Sequence, residues 1–322
     1  MGPTTSFSVS VEENGQSQAI SLAEATQAHH QVGLVWTHIY QQDAEGVAWL
    51  QNSSGLDPMV VDALLAEQTR PRFARFRDGA LINLRGVNLN PNARPEDMVS
   101  IRLWVEEGRV ISVFFRHLRT VREICDRILA HNGPRNSGQF VQELATELAD
   151  RTQPIIESLD QTLSALEELS LKSLNQETHR RLAVTRQRAI RLKRYIVPQR
   201  EALSQLSHED LHWLTQRQRA SLQNLVDQVT RDLEELEDVR DRAALLQEEA
   251  ESRRADDINR KLYVLSVVTV IFMPLTFLTG LLGINVGGIP GAASHWAFAG
   301  VTGLLLVGAV VELIYLRIKG WL

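Results

Sequence analysis

The sequence predicts an α+β cytoplasmic domain followed by long α-helices and a two-span transmembrane helical hairpin. Three observations predict it. Leu262 to Val311 contains no Asp, Glu, Lys or Arg. From His208, no Gly or Pro interrupts the chain until Pro274. Between Gly33 and Phe115, by contrast, short β-branched or aromatic runs are bounded by Gly, Pro, Asn or Asp, the pattern of strands separated by turns.

The α+β domain is expected over residues 1–135. Its first stretch, Met1 to about His30, is polar and reads as ragged. Strands are expected at Gly33 to Tyr40, Phe73 to Arg77, Ala80 to Val87, Val99 to Val105 and Val110 to Phe115, with Arg77-Asp78-Gly79 and Glu106-Glu107-Gly108 as hairpin turns. Apolar residues at helical spacing place helices at Asp43 to Leu50, Asp57 to Glu67 and Thr120 to Ala130.

Residues 136–206 read as a helical hairpin. Phe140, Leu144, Leu148, Ile155, Leu159, Leu163 and Leu166 form a stripe along one helix, with Pro154 as a kink. The helix from Gln176 is basic through Arg180, Arg181, Arg186, Arg188, Arg191, Lys193 and Arg194. A stalk helix follows over 207–261, with Leu222, Leu225, Val229, Leu236, Val239, Ala243 and Leu246 spaced by three and four or their sum. Continued to Leu282 it would be about 110 Å long at 1.5 Å per residue. A lone helix has no core, so this stripe needs other helices, most simply copies of itself about a symmetry axis. Its polar side is acidic from Asp232 to Asp257, and repetition around an axis would concentrate negative potential that attracts cations.

The two spans are 262–282 and 297–316, each long enough to cross roughly 30 Å of hydrocarbon as a helix. Between them, 283–296 holds the glycines, Pro290 and Ser294 of a turn. Arg253, Arg254, Arg260 and Lys261 precede the first span, Arg317 and Lys319 lie in the tail 317–322, and the loop has neither Lys nor Arg. Both termini are therefore expected on the cytoplasmic side. Trp296 and Trp321 bracket the second span at the interfaces. Glu312 is its lone acid, placed either to snorkel or to handle ions or protons.

Composition narrows the function classes. A net charge of -5 gives no reason to expect a nucleic-acid partner. The single cysteine, Cys125, excludes an internal disulfide and a cysteine-built zinc cluster. The N-terminal MGPTTSFSVSVEENGQ lacks the basic and apolar regions of a signal peptide, so membrane insertion is expected to rely on the hairpin itself.

On the first span, Thr269, Met273, Thr276 and Gly280 fall at spacings of four, three and four, on one side of a helix. Asn259, Leu262 and Leu265 extend that side, and a ring of Leu262 or Leu265 would gate by dewetting. These seven are the candidate pore wall; small-residue helix packing is the competing reading.

The run FMPLTFLTGLLGINVGGIPG, Phe272 to Gly291, resembles the signature of CorA-type metal-ion transporters, whose hallmark is Gly-Met-Asn at the end of the first span. With Gly283-Ile284-Asn285 and the glycines that follow, it is similar to the ZntB zinc-transport branch, as are Arg70 to Val105 and the closing Lys319-Gly-Trp-Leu. The resemblance implies a homopentameric funnel in the bacterial inner membrane, with a stalk helix that becomes the pore-lining span. It implies Gly283, Ile284 and Asn285 as selectivity residues, Asn285 forming the outer ring. It further implies zinc as the transported ion, with proton-coupled uptake; zinc efflux and a magnesium, cobalt or nickel channel are the alternatives. Independently, glycine permits a break from the helix, and a ring of neutral amide oxygens holds a hydrated divalent ion weakly enough to release it. The outer loop has no carboxylate, and His295 is its one conventional metal ligand.

A rival motif is His208-Glu209-Asp210-Leu211-His212, which matches H-E-x-x-H, a pattern that on a helix sets two imidazoles on one face beside a carboxylate base. Ser207 and Asp210 read as a capping box, and no third ligand is evident, so His208 and His212 are carried as an accessory zinc site and no enzymatic activity or cofactor is expected. A membrane-tethered coiled-coil scaffold or zinc sensor would also explain the stalk and hairpin, but leaves the pore stripe unexplained.

Overall fold

The computed structural model describes residues 6–28, 33–67, 69–172, 176–284, 289, 291 and 294–320. They form two units, Met1–Gln247 and Glu248–Leu322.

The first unit is built on a seven-stranded sheet. Its strands are β1 (Phe7–Val11), β2 (Ser17–Ile20), β3 (Leu34–Tyr40), β4 (Arg72–Phe76), β5 (Gly79–Gly86), β6 (Val99–Glu106) and β7 (Arg109–Phe114), in the spatial order β2-β1-β3-β7-β6-β5-β4. β3 and β7 pair in parallel and every other neighbour is antiparallel. Both expected hairpin turns form, joining Phe76 to Gly79 and Glu106 to Arg109 across two residues. Gly108 takes a φ of 70°, in the left-handed region where glycine has no Cβ to collide.

Helices cover both faces. On one side lie α1 (Leu22–Ala28), α2 (Ala44–Asn52) and α3 (Pro58–Leu65), where Leu50, Val60 and Leu64 meet Val35, Ile39, Trp104 and Ile111. The other side receives α4 (Arg119–Leu129) and α5 (Ser137–Asp150), with Ile124, Phe140 and Leu144 against Trp36, Ile82, Leu84 and Leu103. Alternation of side chains along each strand divides the residues between the two cores, and because both faces are covered the central strands read as nearly unbroken apolar runs. The second core continues through α6 (Gln153–Lys172) and α7 (Gln176–His208) to the first part of α8 (Gln216–Leu282), where Leu222, Leu225, Val229 and Leu236 are buried.

Three expectations change. The N-terminal stretch is not ragged throughout: β1 and β2 occupy part of it, and Ser8 and Ser10 are buried. Their polarity hides the strand, yet Ser8 Oγ–H donates to Thr37 Oγ1 at 3.0 Å inside the sheet. The stripe read as one kinked helix is two helices, broken at Arg151 and Thr152, with Pro154 in the first turn of α6 where its missing N–H costs nothing. Finally, Ser207 and Asp210 do not form a capping box. Ser207 lies within α7 and donates to Ser204 O, and α8 starts later, where Thr215 and Gln218 exchange the reciprocal bonds of a capping box at 2.9 and 3.3 Å.

α8 is 67 residues long and runs through Pro274 without a break. α9 (Ala297–Ile318) completes the second unit. Both helices are long and apolar enough to cross a membrane.

Candidate functional site

The apolar part of α8 is asymmetric. Its least exposed positions are Val267, Ile271 and Leu275, four apart. In α9 the corresponding stripe is Val301, Leu305, Ala309, Glu312 and Leu316, so each helix has one shielded side. At about 100° per residue, Leu262, Leu265, Thr269, Met273, Thr276 and Gly280 lie on the side of α8 opposite Ile271. All six are exposed, Leu262 at 55% and Met273 at 67% against 8% for Val267. Asn259 is exposed as well and lies near that side, one turn before Leu262.

The chemistry of this uncovered side is mild. Thr269 Oγ1–H donates to Leu265 O at 2.8 Å, leaving the hydroxyl oxygen free to accept. A Cβ on Gly280 would meet nothing within 4 Å. Pro274 has no N–H, so one carbonyl a turn earlier loses its usual donor, which α8 tolerates without ending. After Leu282 the helix closes with Gly283 N–H donating to Thr279 O at 2.9 Å and Gly280 O at 3.2 Å. Ile284 is exposed. Asn285, the expected outer ring, lies outside the described residues, as does Trp321. Glu312 is half-buried, and its Oε2 is enclosed with no hydrogen-bond partner among the described residues.

The acidic side of α8 is partly neutralised. Glu237 pairs with Lys193 of α7 at 2.5 Å, and Asp241 with Arg240 at 2.7 Å. Arg242 gathers Asp160 and Glu167 of α6 together with Asp238, each within 3.1 Å. The hydrogen bonds it donates to Glu167, Asp238 and Asp160 hold that guanidinium well above its ordinary range. Asp232 is buried with no ion pair among the described residues, and its carboxyl is pushed up to about 6, first by burial and then by Glu235.

The H-E-x-x-H segment is not a helix. His208 closes α7 with Nδ1 2.8 Å from Ser204 O, whereas Glu209 to Thr215 form the connection to α8. Glu209 pairs with Arg75 at 2.9 Å and His212 lies 3.4 Å from Glu107. The shared helix face that gives the motif its chemistry is therefore absent, and no group of three metal-ligating side chains occurs among the described residues.

The family model described as CorA-like Mg2+ transporter protein matches residues 31–318. The chain belongs to the CorA family. Among its relatives, the divalent cation transporter CmaX of Pseudomonas aeruginosa is 41% identical over 280 residues, covering 86% of this chain and 83% of that protein. The zinc transport protein ZntB of Yersinia enterocolitica is 34% identical over 287 residues, covering 89% and 88%. A solved structure of full-length CmaX superposes with a TM-score of 0.80 at 34% identity, over 97% of each chain. The chain is thus a CorA-family transporter of divalent cations.

Two parts of this CorA-family site escape the sequence reading. The shielded stripe Val267, Ile271 and Leu275 is visible as a spacing of four, but every neighbour is equally apolar, so hydropathy does not single it out. Arg242 draws its partners from α6, which only tertiary packing brings beside it.

Proposed function

We propose that the chain assembles as a homopentamer in the bacterial inner membrane, both termini cytoplasmic, and moves zinc(II) inward through an axial pore with coupling to protons. The observation that carries this reading is the exposed side of α8 opposite its shielded stripe. In a single chain that side has no partner, and copies placed around an axis would cover its flanks while leaving Thr269, Met273, Thr276 and Gly280 toward the axis. Leu262 and Leu265 are the gate and Asn259 the inner rim. Gly283, Ile284 and Asn285 form the outer mouth, where a neutral amide ring holds a hydrated cation weakly. The stalk acids supply the attraction for cations that the uncharged outer loop does not. The name carried by the Yersinia relative supports zinc, and that of the Pseudomonas relative favours a wider divalent range as the second reading. His208 and His212 remain an accessory zinc site in this proposal, now without a helical scaffold.

The test is zinc entry into liposomes that carry the protein and a trapped fluorescent zinc indicator, with and without an imposed pH gradient. Wild type is expected to give zinc entry that the inward proton gradient accelerates. Gly280→Leu, at a position where an added Cβ meets nothing within 4 Å, is expected to keep the fold and lower flux about tenfold or more by narrowing the path. No zinc signal, or an unchanged signal in both Gly280→Leu and Asn285→Ala, would overturn the pore. Indifference to pH would remove proton coupling alone, and equal entry of magnesium, cobalt or nickel would favour the wider range.

A further inference from the structure

A cavity of about 630 Å³ opens in the first unit against β5, β6 and α7. Arg85 and Arg102 line it from adjacent strands. Arg85 pairs with Ser100 and Arg102 with Asn83, so the two are diagonal neighbours on the same face of the sheet. Arg102 is only 1% exposed. Its Nη2–H donates to Ala66 O at 2.7 Å and Glu67 O at 3.1 Å, while Nε and Nη1 have no partner among the described residues. Arg85 donates to Met98 O and Thr69 O, each at 2.8 Å, and its Nε is likewise unpartnered. The Arg85 guanidinium carbon sits 4.1 Å over the ring of Tyr195, and that of Arg102 sits 4.1 Å over Phe115.

Everything that holds these two cations is neutral. Carbonyls and aromatic faces fix their positions, yet among the described residues no carboxylate is seated on either. Buried arginines are normally paired, because an uncompensated charge in a low dielectric is costly. Here burial and the neighbouring Arg85 push the Arg102 guanidinium down to about 10, and burial followed by Arg194 lowers Arg85. Water can satisfy an N–H but cannot cancel the repulsion between two like charges. Arg116, Arg191 and Arg194 add three more cations to the wall. Of these, Arg191 reaches Asp97 only loosely, at 3.7 Å, and Arg116 and Arg194 have no ion pair among the described residues. Two of the three acids of the wall, Glu96 and Asp97, are already drawn to α7 arginines.

We propose that this cavity binds a soluble phosphate ester. The phosphoryl group takes the arginine wall, for which the planar guanidinium fork is the matching donor. The volume falls within the roughly 300–1,000 Å³ that encloses a small organic molecule, so a bare phosphate leaves most of it empty. Glu96 is buried with Oε2 unpartnered, an acceptor placed for a hydroxyl or amino group on the body of the ester. Occupancy would tie α7 to β5 and β6 of the sheet. α7 also reaches α8 through Lys193 and Glu237, so the ligand bears on the helix that continues into the apolar span.

The experiment is calorimetric titration of the full-length detergent-solubilised protein with AMP, glucose 6-phosphate, adenosine and inorganic phosphate. At least one ester is expected to bind more tightly than inorganic phosphate, and adenosine is expected not to bind. Arg194→Glu lies on an exposed helix position that folding tolerates, and Arg85→Gln removes one wall charge; each is expected to weaken ester binding about tenfold or more. Melting curves of both variants separate loss of binding from loss of fold. Absence of binding by both esters, or unchanged affinity in the Arg116→Glu and Arg194→Glu double variant, overturns the site. Equal affinity for inorganic phosphate and the esters overturns the assignment to an ester.

Discussion

His38 lies on β3 with its ring stacked on Phe114, centroids 4.1 Å apart and planes within 1° of parallel. Ser112 Oγ lies 2.6 Å from His38 Nδ1 and accepts Trp36 Nε1–H at 2.8 Å. Burial first, and the neighbouring His117 second, push the imidazole down to about 3 from its ordinary 6.5. The unfolded chain therefore binds a proton that the folded chain refuses between those values. Stability is full above about 6.5 and falls as pH drops toward 3, at up to about 1.4 kcal/mol per pH unit. His38→Gln is expected to flatten this acid limb in urea melts of the full chain between pH 6.5 and 4; an identical slope would remove His38 as its source. The sequence shows a histidine in a strand, but the parity that turns it inward is decided by the pairing of β3 with β1 and β7.

α6 and α8 are each legible as apolar stripes, and their charged sides are not. Which acids face each other depends on the rotation of one helix against another, and a residue one position away points elsewhere. Asp232 falls on the wrong side of that rotation. Its carboxyl is held at about 6, first by burial, then by Glu235, with Asp150 and Glu157 adding to the repulsion against the relief of Arg231. A raised carboxylate contributes stability below its unfolded value of 3.8, and that contribution is lost as pH rises through 6. Asp232→Asn is expected to raise unfolding free energy by about 2 kcal/mol at pH 7 and by little at pH 4. Denaturant melts at the two pH values measure the difference, and an equal gain at both would assign it to packing instead. Arg242 reverses that logic: among the described residues its three carboxylates pair with no other cation, and Arg242→Ala is expected to cost about 1–3 kcal/mol at pH 7 and less in molar salt.

For the whole molecule, the proposed pentamer makes a measurable claim. Native mass spectrometry in detergent is expected to give five copies of the 36.2 kDa chain, and a stable monomer would leave the exposed side of α8 without a role in a pore. Sequence alone determined the order of the architecture, because strands, stalk and spans differ in period, charge and length, and each signal is local to its own segment. It also located both hairpin turns and the side of α8 that carries Thr269, Met273 and Gly280, since helical spacing follows from covalent geometry. Only the tertiary structure decided that the buried serines of β1 belong to the sheet. It likewise ended α7 at His208, moved the cap of α8 to Thr215 and Gln218, and set Arg85 beside Arg102 on one wall of a cavity. The physical reason is common to all four. The free energy of a polar group depends on which partners surround it after folding, and those partners come from distant parts of the chain.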